Sequence, residues 1–299
     1  MIRPLAFALA ASLIASPAAA WQEQEDPARS ILNRILDRVL GPTEQADQTQ
    51  VPVAPDGTIP LETILAADFR AEDRARDQYR HPAETLAFFQ VAPAMTVAEY
   101  APGGGWYTRV LAPYVAQRGR YLAVNPPAGE DATTDFATAF PARAQQWTGA
   151  PASSVTAFES DEIPAGLEGS VDRILIFRNI HSLLNGGIAD TELRNLRRLL
   201  ADDGLIGVVQ HRAPESEQWE RANGSRGYVK QSDVVALFDM HGFELVQSSE
   251  INANPRDTAA WDRGVWTLPP AYRLGDVDRD YYSAIGESDR MTLLFRKAD

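Results

Sequence analysis

From residue 95 onward the chain is built of short apolar runs that alternate with stretches of helical periodicity. Runs that are apolar on both sides belong to a parallel sheet covered on both faces, and the intervening helices supply the covers. The runs fall at residues 96–100, 121–125, 155–158, 173–177, 205–210, 244–249 and 291–296, which predicts seven strands. Helices are expected at 106–116, 134–144, 190–200 and 231–240. Residues 250–290 carry no convincing helical pattern. That is long for structureless chain inside a compact domain and predicts a segment that covers something.

The first twenty residues read as an export signal. One cation, Arg3, precedes the apolar run 5–15, and Ala18 and Ala20 supply the small residues that signal peptidase requires. The run is shorter than the roughly 20 residues that span a bilayer, so stable membrane insertion is not expected. The chain holds no cysteine, and without a lipidated one a periplasmic location is expected for the mature protein. Ile31, Leu32, Ile35, Leu36, Val39 and Leu40 then recur at helical spacing, and Thr43 to Pro60 reads as a proline-rich linker. The 21–60 region is thus an amphipathic helix and tether ahead of a single domain at 61–299. Residues 66–79, dense in Arg, Asp and Glu, predict a solvated helix leading to a second one at 83–89.

Charge narrows the partners. With 28 Lys plus Arg against 41 Asp plus Glu, the formal charge is -13, and a field of that sign repels nucleic acid and anionic lipid. The missing cysteines also remove disulfides, thiol catalysis and thiolate metal sites. A small-molecule substrate is the expected partner.

The most specific local pattern is the stretch from Thr96 to Thr108, in which an apolar strand ends at Glu99-Tyr100, turns through Gly103-Gly104-Gly105 and enters a helix. Backbone without side chains can approach a ligand closely, as nucleoside cofactors require. A dinucleotide fingerprint would place Gly or Ala at 108, where Thr108 stands, and an acid after the second strand, where Asn125 stands. No Walker loop is present.

Glu99-x-Ala101-x-Gly103-x-Gly105 resembles the first motif of class I S-adenosylmethionine-dependent methyltransferases, acid-x-Gly-x-Gly-x-Gly. More closely, the chain is similar to an exported methyltransferase-like family. The likeness lies in Phe177-Arg178-Asn179-Ile180-His181, Gly207-Val208-Val209-Gln210-His211-Arg212, Ser249-Glu250-Ile251-Asn252-Ala253-Asn254-Pro255, Gly264-Val265-Trp266-Thr267-Leu268-Pro269-Pro270 and Gly286-Glu287-Ser288-Asp289-Arg290-Met291-Thr292-Leu293. It runs from about Ile64 to Lys297. The resemblance implies an α/β fold: a seven-stranded, doubly wound, Rossmann-like sheet with helices on both faces. It implies S-adenosylmethionine as cofactor, with contacts from Glu99, Ala101, Gly103, Gly105, Asn125, Asp161 and Asn179. Two positions depart from the family pattern. Ala101 replaces a glycine, and Asn125 replaces the acid that usually holds the ribose hydroxyls. An amide there forfeits charge-assisted bonds roughly twice as strong as neutral ones. Glu99, Asn125 and Asp161 have an alternative use as helix caps or turn formers.

Ligands of an open parallel sheet sit outside the carboxyl ends of its strands. Two of the four histidines, His181 and His211, follow strands there, with Arg178, Asn179 and Arg212 beside them. The resemblance puts His181 next to the transferable methyl group, as a candidate general base; hydrogen bonding to loop backbone is the alternative. His81 and His241 read as helix-end residues. No H-x-x-x-H or H-E-x-x-H spacing exists, and a metal site would need His181, His211 and Glu250 to meet in space. In the 250–290 segment, Asn252, Asn254, Arg256, Asp257, Trp261 and Trp266 suit either a lid over a polar molecule or a strap pinned to the sheet, and Glu287, Asp289 and Arg290 suit an ion-pair anchor. Three functions follow: a small-molecule methyltransferase, a non-catalytic protein of that fold binding another nucleoside-like or polar metabolite or a protein partner, or an enzyme of other chemistry built on the histidines and arginines.

Overall fold

The computed structural model describes residue 54, residues 57–129 and residues 135–298. The expected signal peptide, the amphipathic helix and most of the linker lie outside the described residues. Among the described residues no helix is long and apolar enough to cross a membrane.

The domain opens with short elements: α1 (Leu61–Ala66), α2 (Asp77–Arg80) and α3 (Pro82–Phe88). The core follows as β1 (Thr96–Tyr100), α4 (Thr108–Val115), β2 (Arg120–Asn125), α5 (Phe136–Thr148), β3 (Val155–Glu159) and β4 (Val171–Phe177). It continues with α6 (Ile180–Asn185), α7 (Ala189–Leu199), β5 (Leu200–Ala213), α8 (Trp219–Ala222), β6 (Val229–Lys230), α9 (Gln231–Met240), β7 (Phe243–Ser249), α10 (Arg279–Ile285) and β8 (Arg290–Lys297). The sheet runs β3-β2-β1-β4-β5-β8-β7, with the two-residue β6 attached to β5 off that path. Strands β1 to β5 are parallel, and β8 is antiparallel to both its neighbours. The fold is thus the α/β, doubly wound architecture expected, with one extra short strand.

Alternation along the strands sorts side chains onto two cores. Ala98, Leu122, Ile174, Ile176, Ile206 and Val208 face α7 and α9 through Leu193, Leu196, Val234 and Phe238. Val97, Ala123, Leu175 and Val209 face α3, α4 and α5 through Leu86, Phe89, Val110, Leu111 and Phe140. Removing one such side chain, as in Leu193→Ala, costs about 2–5 kcal/mol. The Phe89 ring lies where a Cβ at Gly207 would fall, 2.6 Å away, so this strand position must be glycine for α3 to seat.

Two expectations are corrected. The segment read as one solvated helix over 66–79 is instead α1, two single 3-10 turns at Asp68–Arg70 and Arg74–Arg76, and then α2. Its charges are only partly solvated: Asp68, Glu72 and Arg74 are exposed, but Arg70 and Asp73 are buried, as is Arg80 just after it. The 250–290 segment also holds more structure than its pattern suggested, with a 3-10 turn at Gly264–Thr267 and α10.

The connection from β3 returns across the sheet to β4 on the other side of β1, which makes the β1/β4 boundary the switch point where strand order reverses. Their carboxyl ends open a crevice there.

Candidate active site

The crevice holds a cavity of about 290 Å³. The loop after β1 gives it Ala101, Pro102, Gly103, Gly104, Trp106 and Tyr107; the end of β4 and start of α6 give Phe177, Arg178, Asn179, His181 and Ser182; His211 and Trp266 close it. The chain enters from both sides on strained backbone. Ala101 has φ +49° and Arg178 has φ +60°, left-handed values costing L-residues roughly 1–2 kcal/mol each. Each is fixed by a backbone bond to a neighbouring strand: Ala101 N–H donates to Val124 at 2.7 Å and Arg178 N–H to Val209 at 2.6 Å. Non-glycine residues held this way cluster at ligand sites.

Two of the three loop glycines leave open space. A Cβ at Gly104 would meet nothing within 4 Å, and one at Gly103 only the Ala101 carbonyl at 3.9 Å. Gly105 differs. The Trp147 ring of α5 fills the place its Cβ would take, 2.2 Å away, so Gly105 serves packing and does not line the cavity.

Glu99 lines the cavity while its Oε2 accepts hydrogen bonds from Thr108 Oγ1 at 2.8 Å and Tyr121 OH at 2.6 Å. No described donor reaches Oε1. Burial pushes the carboxyl up to about 7 against the opposing pull of the two hydroxyls and of Arg109 and Arg178. Near neutral pH it is poised between acid and carboxylate.

His181 and His211 lie with ring centroids 5.7 Å apart. His181 Nδ1 lies 3.4 Å from Gln210 Oε1 and 3.3 Å from its Nε2. That amide nitrogen donates to the carbonyls of Gly227 at 2.8 Å and His211 at 3.4 Å, which commits its two hydrogens. Assigned from this network, Oε1 accepts from Nδ1–H and the His181 Nε2 lone pair stays free. Burial first, and Arg178 after it, holds the His181 pKa below its usual range, against the Gln210 bond. His211 is driven lower still, by burial and by Arg290, and its Nδ1 lies 2.6 Å from Ser288 Oγ. Both rings are therefore neutral at pH 7. Asn179 also lines the cavity, but its amide hydrogens point to the carbonyls of Ala101 at 3.1 Å and Phe177 at 3.2 Å, tying β1 to β4. Its Oδ1 takes no bond from a described residue.

The structure does not bring Asn125 and Asp161 into this cavity. Asn125 lines a separate hollow of about 300 Å³ at the ends of β2 and β3, with Glu159, Phe136, Phe140 and Arg143, and no described group bonds its amide. Asp161 is exposed and lines neither hollow. A larger hollow of about 500 Å³, between α9 and β7, lies away from the crevice.

The covering segment divides between its two readings. Trp266 alone of the six named residues lines the cavity, with its ring 6.0 Å from that of His181. Asn252 bonds Thr85 and Thr292, Asn254 bonds the carbonyls of Ile285 and Glu287, Arg256 bonds Ala284, and Asp257 accepts from Tyr228 and Trp261. These five are anchors. Glu250 and Asp289 both pair with Arg212, so Glu250 is not free to join the histidines. Among the described residues no three His, Asp or Glu side chains come together as metal ligands.

The ion pair expected of Glu287 and Arg290 is present, but sequence reasoning missed Arg76 and Arg80, which join it behind the cavity. Arg76, Arg80 and Arg290 converge on one carboxylate, Glu287, whose side chain is 2 % exposed. Burial would raise that carboxyl, but Arg290, Arg80 and Arg76 together hold it at about 2. The Arg80 guanidinium lies 4.4 Å over the Trp106 ring, on the wall of the cavity. Arg178 completes the group, its own pKa lowered to about 10 by burial and by Arg290. Arg178 and Glu287 stood in quoted motifs; the signal missing was that two of Glu287's partners, Arg76 and Arg80, come from a segment some two hundred residues earlier.

No family model and no curated protein matches the chain. Among solved structures it is similar to a SAM-dependent methyltransferase from Aquifex aeolicus, with 17% identity over 64% of this chain and 93% of that one and a TM-score of 0.46. It is similar to Burkholderia thailandensis 1,6-didemethyltoxoflavin-N1-methyltransferase, solved with 1,6-didemethyltoxoflavin and S-adenosylhomocysteine, at 15% identity over 87% and 95% of the chains and a TM-score of 0.43. It is also similar to the [4+2]-cyclase SpnF, at 13% identity over 90% and 93% with a TM-score of 0.47. Likeness at this level leaves the chemistry to be read from the site.

Proposed function

We propose that this protein is an S-adenosylmethionine-dependent methyltransferase acting on a small molecule, exported to the periplasm through its first twenty residues. The observation that carries the reading is the open Gly103-Gly104 backbone beside Glu99, at the switch point of the sheet and within one cavity with a neutral histidine. That donor set fits the cofactor. Glu99 Oε1 suits its ammonium, Asn179 Oδ1 is a second acceptor, and Asn125 at the adjoining strand end suits a ribose hydroxyl. The bound cofactor would supply an electrophilic methyl group. The chain's own part is positional and proton-handling. Gln210 holds the His181 ring so that Nε2 can take the proton from an oxygen or nitrogen nucleophile as it attacks. The Tyr107 and Phe177 rings, stacked 3.4 Å apart between centroids, and Trp266 give an otherwise mostly polar lining its aromatic surface.

Calorimetry of the mature protein with S-adenosylhomocysteine tests the reading, with Gly103→Arg as the blocked control. Binding by the wild type that the arginine abolishes supports it. No heat at millimolar ligand removes it, and binding without turnover on any acceptor returns the chain to the non-catalytic reading. A reporter fused to residues 1–20 that stays in the cytoplasm would overturn export.

A further inference from the structure

Three guanidiniums, those of Arg76, Arg80 and Arg290, pair with one carboxylate, Glu287, and a fourth, that of Arg178, feels the charges of Arg290 and Glu287 from the cavity wall. The nearby acids are already engaged: Asp77 with Arg70, Asp73 with Arg109, and Asp289 with Arg212. In a chain with a formal charge of -13, this is a buried pocket of opposite sign. Its donors are also underused. Arg80, 2 % exposed, has no partner for Nη1 or Nη2, and Arg76 Nη2 and Arg290 Nε are likewise buried and unbonded. Arg178, on the cavity wall, makes no side-chain hydrogen bond or ion pair with any described residue. Buried cationic donors without partners are strongly unfavourable unless a counter-anion arrives. S-adenosylmethionine does not relieve the excess, since its one carboxylate is outweighed by an ammonium and a sulfonium.

We propose that the methyl acceptor is an anionic small molecule whose carboxylate or phosphate group binds Arg178, with Arg80, Arg76 and Arg290 behind the Trp106 and Tyr107 wall supplying the attractive field. This rests on the methyltransferase reading of the same cavity. The anion serves two ends. It brings the acceptor beside His181, and it offsets the cationic field that would otherwise oppose a sulfonium in the crevice.

Titrations of the full mature chain with inorganic phosphate and with succinate, at constant ionic strength set by chloride, test the proposal. The expected result is saturable binding of at least one probe, weakened at least tenfold in Arg178→Met and partly kept in Arg178→Lys, as for a charge-assisted contact. Equal binding by wild type and Arg178→Met, or no binding beyond that of chloride, overturns it. If Arg178→Met does not fold, Arg178→Gln takes its place. Parallel titrations with S-adenosylhomocysteine and with 5′-methylthioadenosine, which lacks the amino-acid moiety, separate the sources of the anion. Loss of tenfold or more in Arg178→Met for the first nucleoside alone would mean that Arg178 holds the cofactor's carboxylate, which overturns the proposal. Anion binding with no binding of either nucleoside would overturn the methyltransferase reading and leave an anion site. Nucleoside binding with no anion binding would do the reverse.

Discussion

Glu99→Gln isolates the most perturbed acid of the crevice. Gln keeps the size and an oxygen for the Tyr121 and Thr108 hydroxyls but cannot ionise. In the wild type the carboxyl titrates near 4.5 when unfolded and at about 7 when folded, because burial disfavours its charge. A pKa raised on folding contributes stability in full below the unfolded value, and that contribution is lost as pH rises through the folded one. At about 1.36 kcal/mol per pKa unit, and with partial protonation counted at both ends, the wild type loses about 2.5 kcal/mol between roughly pH 5 and pH 8 through this group alone. The variant loses none of it. Urea denaturation of both proteins at the two pH values gives the difference directly, since every other titrating group cancels. Glu99→Gln should therefore gain about 2.5 kcal/mol relative to wild type between the lower and the higher pH. A gap that stays constant within about 0.5 kcal/mol would refute the claim that Glu99 is desolvated and protonates near neutrality. The same ionisation predicts that S-adenosylhomocysteine binds more tightly as pH rises towards 7, because its ammonium prefers the carboxylate.

Three further outcomes follow from the packing and the site. Glu287→Gln leaves Arg76, Arg80 and Arg290 without their carboxylate and should cost about 3–5 kcal/mol by urea melts. Because the folded pKa of Glu287 is depressed to about 2, the wild type should lose this contribution as pH falls from about 4.5 towards 2, and the variant should show no such acid step. Gly105→Ala forces a Cβ into the Trp147 ring at a φ of +74° and should destabilise by about 2 kcal/mol or more, whereas pairing it with Trp147→Leu should recover part of the loss; equal stability of Gly105→Ala and wild type would mean the ring does not sit there. With an anionic acceptor in hand, His181→Asn should lower kcat about 10²–10⁴-fold while S-adenosylhomocysteine affinity stays within about threefold, and an unchanged kcat would leave positioning alone to carry the reaction.

The sheet was legible because strands buried on both faces leave unbroken apolar runs. Residues 96–100 and 231–240 match β1 and α9 end to end, and every other predicted strand is observed with no end moved by more than five residues. β5 extends beyond its apolar centre at both ends, where Asp202 and Asp203 are exposed and Arg212 pairs with Val229, so local hydrophobicity could not mark its limits. β6 is two residues long and carries no period to read. Of the site, Glu99, Ala101, Gly103, Asn179 and His181 share one cavity because each lies at or just after the carboxyl end of β1 or β4 at the switch point, whereas His211, expected to follow its strand, lies within β5 and reaches the same cavity from there. Gly105 went to packing because its partner, Trp147, lies on another helix. Arg76 and Arg80 escaped for a similar reason, although the pair of Glu287 with Arg290 was legible. A run of Arg, Asp and Glu looks solvated until a buried Glu287, joined to it only by the fold, shows which of its charges lie inside.

The most direct measurement of the central claim is a crystal structure of the mature chain with S-adenosylhomocysteine. The account predicts the ligand's amino-acid end against Gly103, Gly104 and Glu99 Oε1, its sulfur facing His181, and its ribose turned towards Asn125. Density for the ligand elsewhere, or an empty crevice at saturating ligand, would contradict it.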